Sequence, residues 1–363
     1  MGDKNYGSKK LNANILVTAA GGIVGQGIIK CLKMANASND GPVKYRITAT
    51  DTNGQAAGLY RSDDGILVPP SSDPNFIDAL IEIAIQQDIQ AVFVGSDEEL
   101  LIIGNSARRI EDETKAKVIS CSPEVLMTSR DKWKTFEFLK SNNLPYAASS
   151  LPEDGGSFIQ EHGFPLVVKP REGYGSLHFY LVNNKYELEY AISKIEKAGW
   201  RPLLQEYLSG SNIEFTSGVT IDRFGKYVLS SISIQKTIKS GQTYKALIDD
   251  FEDIRKASEE VALRLGARGA INIQARIKEG IPKTFEINPR FSATCPMRSA
   301  AGINEPDLVF RNAVLDEELK IDGYKRLLCM RYWNEVYIPY STYEKTLSAG
   351  RVKDNDSFII SYF

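Results

Sequence analysis

Glu286-Ile287-Asn288-Pro289-Arg290 is the segment whose residue types and spacing point most directly to chemistry. In a strand, side chains alternate between faces, so Glu286 and Asn288 share one face and Ile287 takes the other. Two oxygen ligands then stand side by side, facing away from the core. A hard cation such as Mg²⁺ (or Mn²⁺) accepts few protein oxygens and completes its shell with phosphate and water. Gln274, in Ala270-Ile271-Asn272-Ile273-Gln274 on the preceding strand, offers a third oxygen, and Arg290 can meet phosphate charge. A charged sheet edge is the plainer alternative, but Asn-Pro-Arg is poor strand sequence with no structural purpose there.

Two further segments suit a nucleotide. Lys169 ends the apolar run Leu166-Val167-Val168 and is followed by a loop carrying Gly173, Gly175 and Ser176. A phosphate site needs a cation and mobile backbone amides that close over the anion; a hairpin with an exposed lysine is the bland reading. Leu203 to Leu208 is an apolar strand ending in an exposed carboxylate, Glu206, with Gly210 and Glu214 just beyond. That order suits an adenine hinge followed by a carboxylate for ribose hydroxyls.

Near the N-terminus, Gly21-Gly22-Ile23-Val24-Gly25 follows the apolar run Asn14–Ala19, and Asp51 follows the next strand. This approximates a dinucleotide fingerprint, but Gly22, Gly25 and Gly27 do not make Gly-x-Gly-x-x-Gly. The better reading is a structural or substrate-side turn, with Gly22 at a helix N-terminus able to face a substrate anion. Gly95-Ser96-Asp97-Glu98-Glu99 ends another strand, where ligands of open parallel sheets bind. Ser96 and Glu99 have capping-box spacing, which leaves Asp97 or Glu98 free to hold a substrate's ammonium group.

These residues need a scaffold. Short strands at 14–19, 45–50, 65–68, 91–94 and 117–121 alternate with helical stretches such as Phe76–Gln87, which predicts a doubly wound parallel sheet. Ser122-Pro123-Glu124 has the form of a helix start and marks a lobe boundary. From Phe164 the pattern becomes alternating runs separated by turns, an antiparallel α+β region whose halves are separated by a helix at 251–265. The expected fold class is therefore α/β plus α+β. Its divisions fall at 1–121, 122–320 with a small lobe at about 150–210, and a C-terminal α+β tail at 321–363 packed on the main body.

The chain has 363 residues, 42% hydrophobic and 25% charged, with a formal net charge of −2. No broad basic field is available for nucleic acid or an anionic membrane. The four cysteines are scattered and there are two histidines, so no zinc-like cluster is expected. The first ten residues lack a hydrophobic signal core, and no apolar run reaches about 18 residues. A cytoplasmic protein, compatible with a homodimer, is the expectation.

The set VVKPREGYGS, LLQEYL, INIQARI and FEINPRFSATCPMRSAAG resembles the ATP-grasp domain, in its carbamoyl-phosphate-synthase-like branch, over about 122–312. The preceding glycine-turn sheet is similar to the pre-ATP-grasp domain, which explains a Rossmann-like start without a dinucleotide. The resemblance implies phosphate-contacting cations at Lys132 and Lys169, and an adenine hinge at Glu206, Tyr207 and Leu208. It implies a ribose carboxylate at Glu214, metal ligands at Gln274, Glu286 and Asn288, and a catalytic arginine at Arg290. Arg298 lies where relatives often carry a cation near the transferred phosphate. The chain holds one ATP-grasp half, about a third of the synthase length, with a short glycine loop, and acceptor-activating residues are not evident in Ser231–Leu247. The expected activity is thus a stand-alone ligase. It uses ATP and Mg²⁺ to activate a small-molecule carboxylate as an acyl phosphate, couples it to an amine, and releases ADP and phosphate. Other ATP-grasp phosphoryl transfer or carboxylation, or a non-catalytic nucleotide-binding module, are the alternatives.

Overall fold

Apolar runs bounded by turn residues become the parallel strands of the N-terminal region. They are seen in a computed structural model that describes residues 10–173, 177–208, 213–239, 241–332 and 334–360. The elements run β1 (Leu11–Val17), α1 (Ile23–Ala37), β2 (Val43–Asp51), α2 (Ala57–Tyr60), β3 (Asp64–Leu67), α3 (Phe76–Gln86), β4 (Ala91–Phe93), α4 (Asp97–Asn105), α5 (Ala107–Thr114) and β5 (Lys117–Ile119). The strands pair in parallel in the order β3-β2-β1-β4-β5. The order reverses direction at β1, so the ends of β1 and β4 open a crevice there.

Helices α6 (Pro123–Arg130) and α7 (Lys132–Ser141) follow. Ser122 caps the first and Asp131 the second, each accepting a backbone N–H from the opening turn. A small antiparallel sheet comes next, in the order β6-β9-β7-β8, from β6 (Ser149–Ser150), β7 (Leu166–Pro170), β8 (Tyr180–Val182) and β9 (Pro202–Glu206). It packs α8 (Gly155–His162) and α9 (Lys185–Lys197) over its own apolar core, including Phe158, Leu166, Val168, Ile195 and Leu204.

The largest sheet is antiparallel and ordered β14-β13-β10-β11-β12-β15. Its strands are β10 (Glu214–Ile221), β11 (Val228–Lys239), β12 (Gln242–Ile248), β13 (Gly269–Lys278), β14 (Ile281–Asn288) and β15 (Leu327–Met330), with α10 (Glu252–Arg264) between β12 and β13. Val219, Ile271, Ile273 and Ile287 from this sheet share one core with Val92, Val94 and Leu100 from the N-terminal region and with Leu126 of α6. Helices α11 (Cys295–Ala300) and α12 (Glu305–Val314) pack on α1 and the sheet, and α13 (Tyr340–Ala349) is the last helix among the described residues. The last segments are stitched in: β15 pairs with β12, and Arg351 bridges to Ile66 of β3. Among the described residues no helix is long and apolar enough to cross a membrane.

Candidate active site

Strand alternation sets the cleft face. On β13 and β14, Gln274 lies opposite Glu286 and Asn272 opposite Asn288, while Ile273 and Ile287 point into the shared core. On β10, Thr216 lies opposite Gln274 and Gly218 opposite Asn272. The polar groups therefore form rungs, running from Glu214 at one end toward Arg290 at the other. They border a cleft of about 620 Å³ between the large sheet, the small sheet and the ends of β1 and β4.

At the Glu214 end the walls are apolar: Val167, Leu177, Phe179, Tyr207, Leu208 and Ile238 line the cleft. A flat heterocycle fits such a slot. The Glu206 side chain does not face it freely. It is 3% exposed, accepts from Ala148 N at 2.8 Å, and is held by Lys278 and Lys283 at 2.6 and 2.7 Å. Burial works against its charge, but the two ammonium groups outweigh it and keep the carboxyl below its usual range. The sequence expectation of an exposed carboxylate here does not hold, because the two lysines and the Ala148 amide enclose it. Glu214 is likewise buried and paired, with Lys236 at 2.7 Å and Arg276 at 3.0 Å.

Lys169 reaches the cleft from β7. Its Nζ donates to Gln205 Oε1 at 2.8 Å and lies 5.5 Å from the Phe285 ring. Burial, and then the neighbouring charge of Lys132, lower its pKa to about 7. Lys132 begins α7 and donates to Gly173 O at 2.9 Å. Asp131 beside it holds Arg171 through two bonds of 3.1 and 2.6 Å, which fixes the root of the glycine loop. Gly173 lines the cleft; Gly175 and Ser176 lie outside the described residues.

Glu286, Asn288 and Gln274 stand together. Asn288 Nδ2 donates to Glu286 Oε1 at 3.2 Å, and Lys236 donates to Gln274 Oε1 at 2.6 Å. Among the described residues no group of three or more His, Cys, Asp or Glu is placed to hold a metal. One carboxylate with amide oxygens suits a cation that arrives with phosphates rather than one caged by protein alone, so the donor set fits Mg²⁺.

At the far end, Arg290 is gripped by Asp97 through two bonds of 2.6 Å, and its Nη2 also donates to Asn288 Oδ1 at 3.2 Å. Asp97 is therefore not free for an ammonium group: an arginine 193 residues along the chain already holds its carboxylate. Glu98 and Gly22 line the same end. The capping box is half made, since Ser96 accepts from Glu99 N at 3.2 Å while the Glu99 carboxyl turns away to Thr18 at 2.5 Å. Burial raises the Glu99 carboxyl to about 7.

Asp51 accepts from Gly21 N at 2.7 Å and from Asn53 N at 2.9 Å, so the turn itself consumes the carboxylate a dinucleotide would need. A Cβ at Gly25 would stand 2.3 Å from Ala19 O, which explains that glycine by close packing. Arg298 is a third departure. It is 1% exposed and ion-paired at 3.1 Å with Glu305, packed over Gly218 outside the cleft lining, so it does not reach the cleft as expected. Lys236, Arg276, Lys278 and Lys283 escaped sequence reading. Their signal was alternation on strands whose partner carboxylates were already in hand.

Residues 129–294 match the ATP-grasp domain, and residues 15–119 match the PylC-like N-terminal domain. The carbamoyl phosphate synthase large chain of Thermoanaerobacter pseudethanolicus is 28% identical over 231 residues, 59% of this chain and 21% of that one. That of Corynebacterium glutamicum is 28% identical over 210 residues, 54% and 19% of the two chains. This chain thus spans about a fifth of the length of these curated relatives. Among solved structures, N5-carboxyaminoimidazole synthetase from Staphylococcus aureus, complexed with ADP, superposes with a TM-score of 0.70 at 16% identity, covering 90% of this chain and 84% of that one. The biotin carboxylase domain of Hydrogenobacter thermophilus 2-oxoglutarate carboxylase, with MgADP and bicarbonate, gives 0.67 at 18% identity, covering 87% and 72%. At such identities these likenesses speak to fold.

Proposed function

We propose that this chain, whose residues 129–294 match the ATP-grasp domain, is an ATP- and Mg²⁺-dependent ligase that activates a carboxylate as an acyl phosphate and couples it to an amine. The observation that carries this reading is the single polar face on which Gln274, Glu286 and Asn288 lie in line with Arg290. Lys169 and Lys132 border the same cleft. ADP and MgADP in the similar folds support a nucleotide in this cleft.

In the proposed reaction a carboxylate oxygen attacks the γ-phosphorus, and the bond to ADP breaks. The amine nitrogen then attacks the acyl carbon, loses a proton, and phosphate leaves. Two anions must approach in the first step, so catalysis is chiefly alignment and neutralisation. Gln274, Glu286 and Asn288 would hold Mg²⁺, which supplies positive charge to phosphate oxygens when bound. Lys169, Lys132 and Arg290 would add charge from the cleft walls, and Tyr207 and Leu208 would seat the base. Gly22 and the loop 95–98 would border the acceptor. Gly173 would border the phosphates. Four unpaired cysteines suit a reducing cytosol. A second reading, with bicarbonate as the carboxylate, draws on the bicarbonate in the Hydrogenobacter domain.

The test is a screen of amino acids, other carboxylates and bicarbonate against amines, scored for ADP release and new mass. Glu286→Gln removes the one carboxylate of the proposed metal set and should cut turnover roughly 10²-fold while leaving the melting temperature unchanged. Turnover within about threefold of wild type would remove Glu286 from the site, the margin being small against that loss.

A further inference from the structure

On the cleft face of the large sheet, just beyond the residues that line the cleft, lies a charge pair that the reaction outlined above does not use. Arg298 and Glu305 are each 1% exposed. They pack on the cleft-side face of β10, where a Cβ on Gly218 would stand 1.9 Å from Glu305 Oε1 and 2.2 Å from Arg298 Nη1. Only glycine at this strand position leaves room for the pair. Burying two charges brings little net stability, and apolar side chains of equal volume would fill the space as well. What the pair supplies is orientation. Arg298 Nη2 donates to Asn272 Oδ1 at 2.7 Å, and Thr216 Oγ1 donates to the same oxygen at 2.7 Å. A guanidinium can only donate, so chemistry requires the amide oxygen, not the nitrogen, to face it. Asn272 lines the cleft, and its Nδ2 makes no hydrogen bond among the described residues.

We infer that Asn272 is a hydrogen-bond donor to the transferred phosphoryl group, held in that orientation by Arg298 and Glu305. The inference rests on the nucleotide reading above. Asn272 lies one rung past Gln274 and Glu286, on the side of Arg290 and away from Glu214. With the base at the apolar Glu214 end, that rung meets the γ-phosphoryl rather than the α- and β-phosphates. Arg298 is thus a positioning residue that acts through Asn272.

The experiment compares Mg·ADP with Mg·AMPPNP, an ATP analogue with an imido bridge, by calorimetric titration of the full chain. Wild type is set beside Asn272→Asp, Asn272→Ser and the double variant Arg298→Met/Glu305→Leu. Asn272→Asp keeps an acceptor for Arg298 and replaces the donor with an acceptor. Asn272→Ser keeps a short hydroxyl, and the double variant replaces the pair with apolar groups. Loss of a hydrogen bond to a charged phosphate should weaken AMPPNP about tenfold or more. ADP affinity should stay within about threefold of wild type, since the same bond is absent there. A purely structural role would move both nucleotides together. Equal losses for ADP and AMPPNP, or no loss for either, in the folded variants would overturn the inference. If wild type binds neither nucleotide, the nucleotide reading itself falls, and the inference with it.

Discussion

Lys169 shows how much a single residue's surroundings decide. Its position at the end of an apolar strand, before a glycine loop, was legible in the sequence; its burial beside Lys132 was not, because that proximity joins two segments 37 positions apart. Burial and like charge bring the ammonium down to about 7, so the free protein holds it increasingly neutral above that pH. In the proposed site, a bound polyphosphate restores the charge, and binding then takes up a proton. The sign follows: nucleotide affinity should be flat below about pH 7 and fall as pH rises beyond it, by up to about tenfold per unit. Titrations of Mg·ADP at pH 6.5, 7.5 and 8.5 should show this slope in wild type and lose it in Lys169→Met. A flat wild-type profile would mean that Lys169 does not meet phosphate. The rung of Glu286, Asn288 and Gln274 was legible too, since strand alternation alone puts them on one face. The partners of Glu206 and Glu214 were not, because cross-sheet lysines carry no motif.

At the scale of elements, the connection that matters joins α4 to the end of β14. The sequence showed a helix start at Ser96 but could not show that Asp97, in its first turn, meets Arg290 just past β14. Nothing in either local pattern encodes a contact across 193 residues; the register of the large sheet against the N-terminal sheet makes it. Asp97 then belongs with Arg290 rather than with an amino-bearing substrate. Asp97→Asn keeps a hydrogen-bonding side chain but removes the charge that holds the guanidinium. In the proposed reaction kcat should drop about tenfold, the worth of one weakened charge-assisted bond, with the amine KM unchanged. A rise in amine KM alone, with kcat preserved, would instead return Asp97 to the substrate. Arg298 teaches a similar lesson: a motif position can be occupied by the right residue type and still be turned into the protein interior, here by Glu305 at the start of α12.

For the whole molecule, a parallel sheet followed by antiparallel sheets was readable from the switch between alternating helix-strand units and period-2 runs near Phe164. What could not be read was the way the bodies meet. Val92 and Leu126 share a core with Val219 and Ile287, and that packing brings the ends of β1 and β4 over the large sheet. The cleft exists only because of it, with Gly22 and Gly95 bordering the same space as Asn288 and Arg290. In the proposed reaction this arrangement would put an acceptor beside the end of a polyphosphate, the geometry an acyl phosphate requires. The most direct measurement follows one atom. With an active carboxylate–amine pair in hand, the carboxylate is labelled with ¹⁸O and the released phosphate is analysed by mass spectrometry and ³¹P NMR. Attack on the γ-phosphorus predicts ADP as the nucleotide product and one ¹⁸O carried from carboxylate into phosphate. AMP with pyrophosphate, or phosphate without the label, would contradict the account.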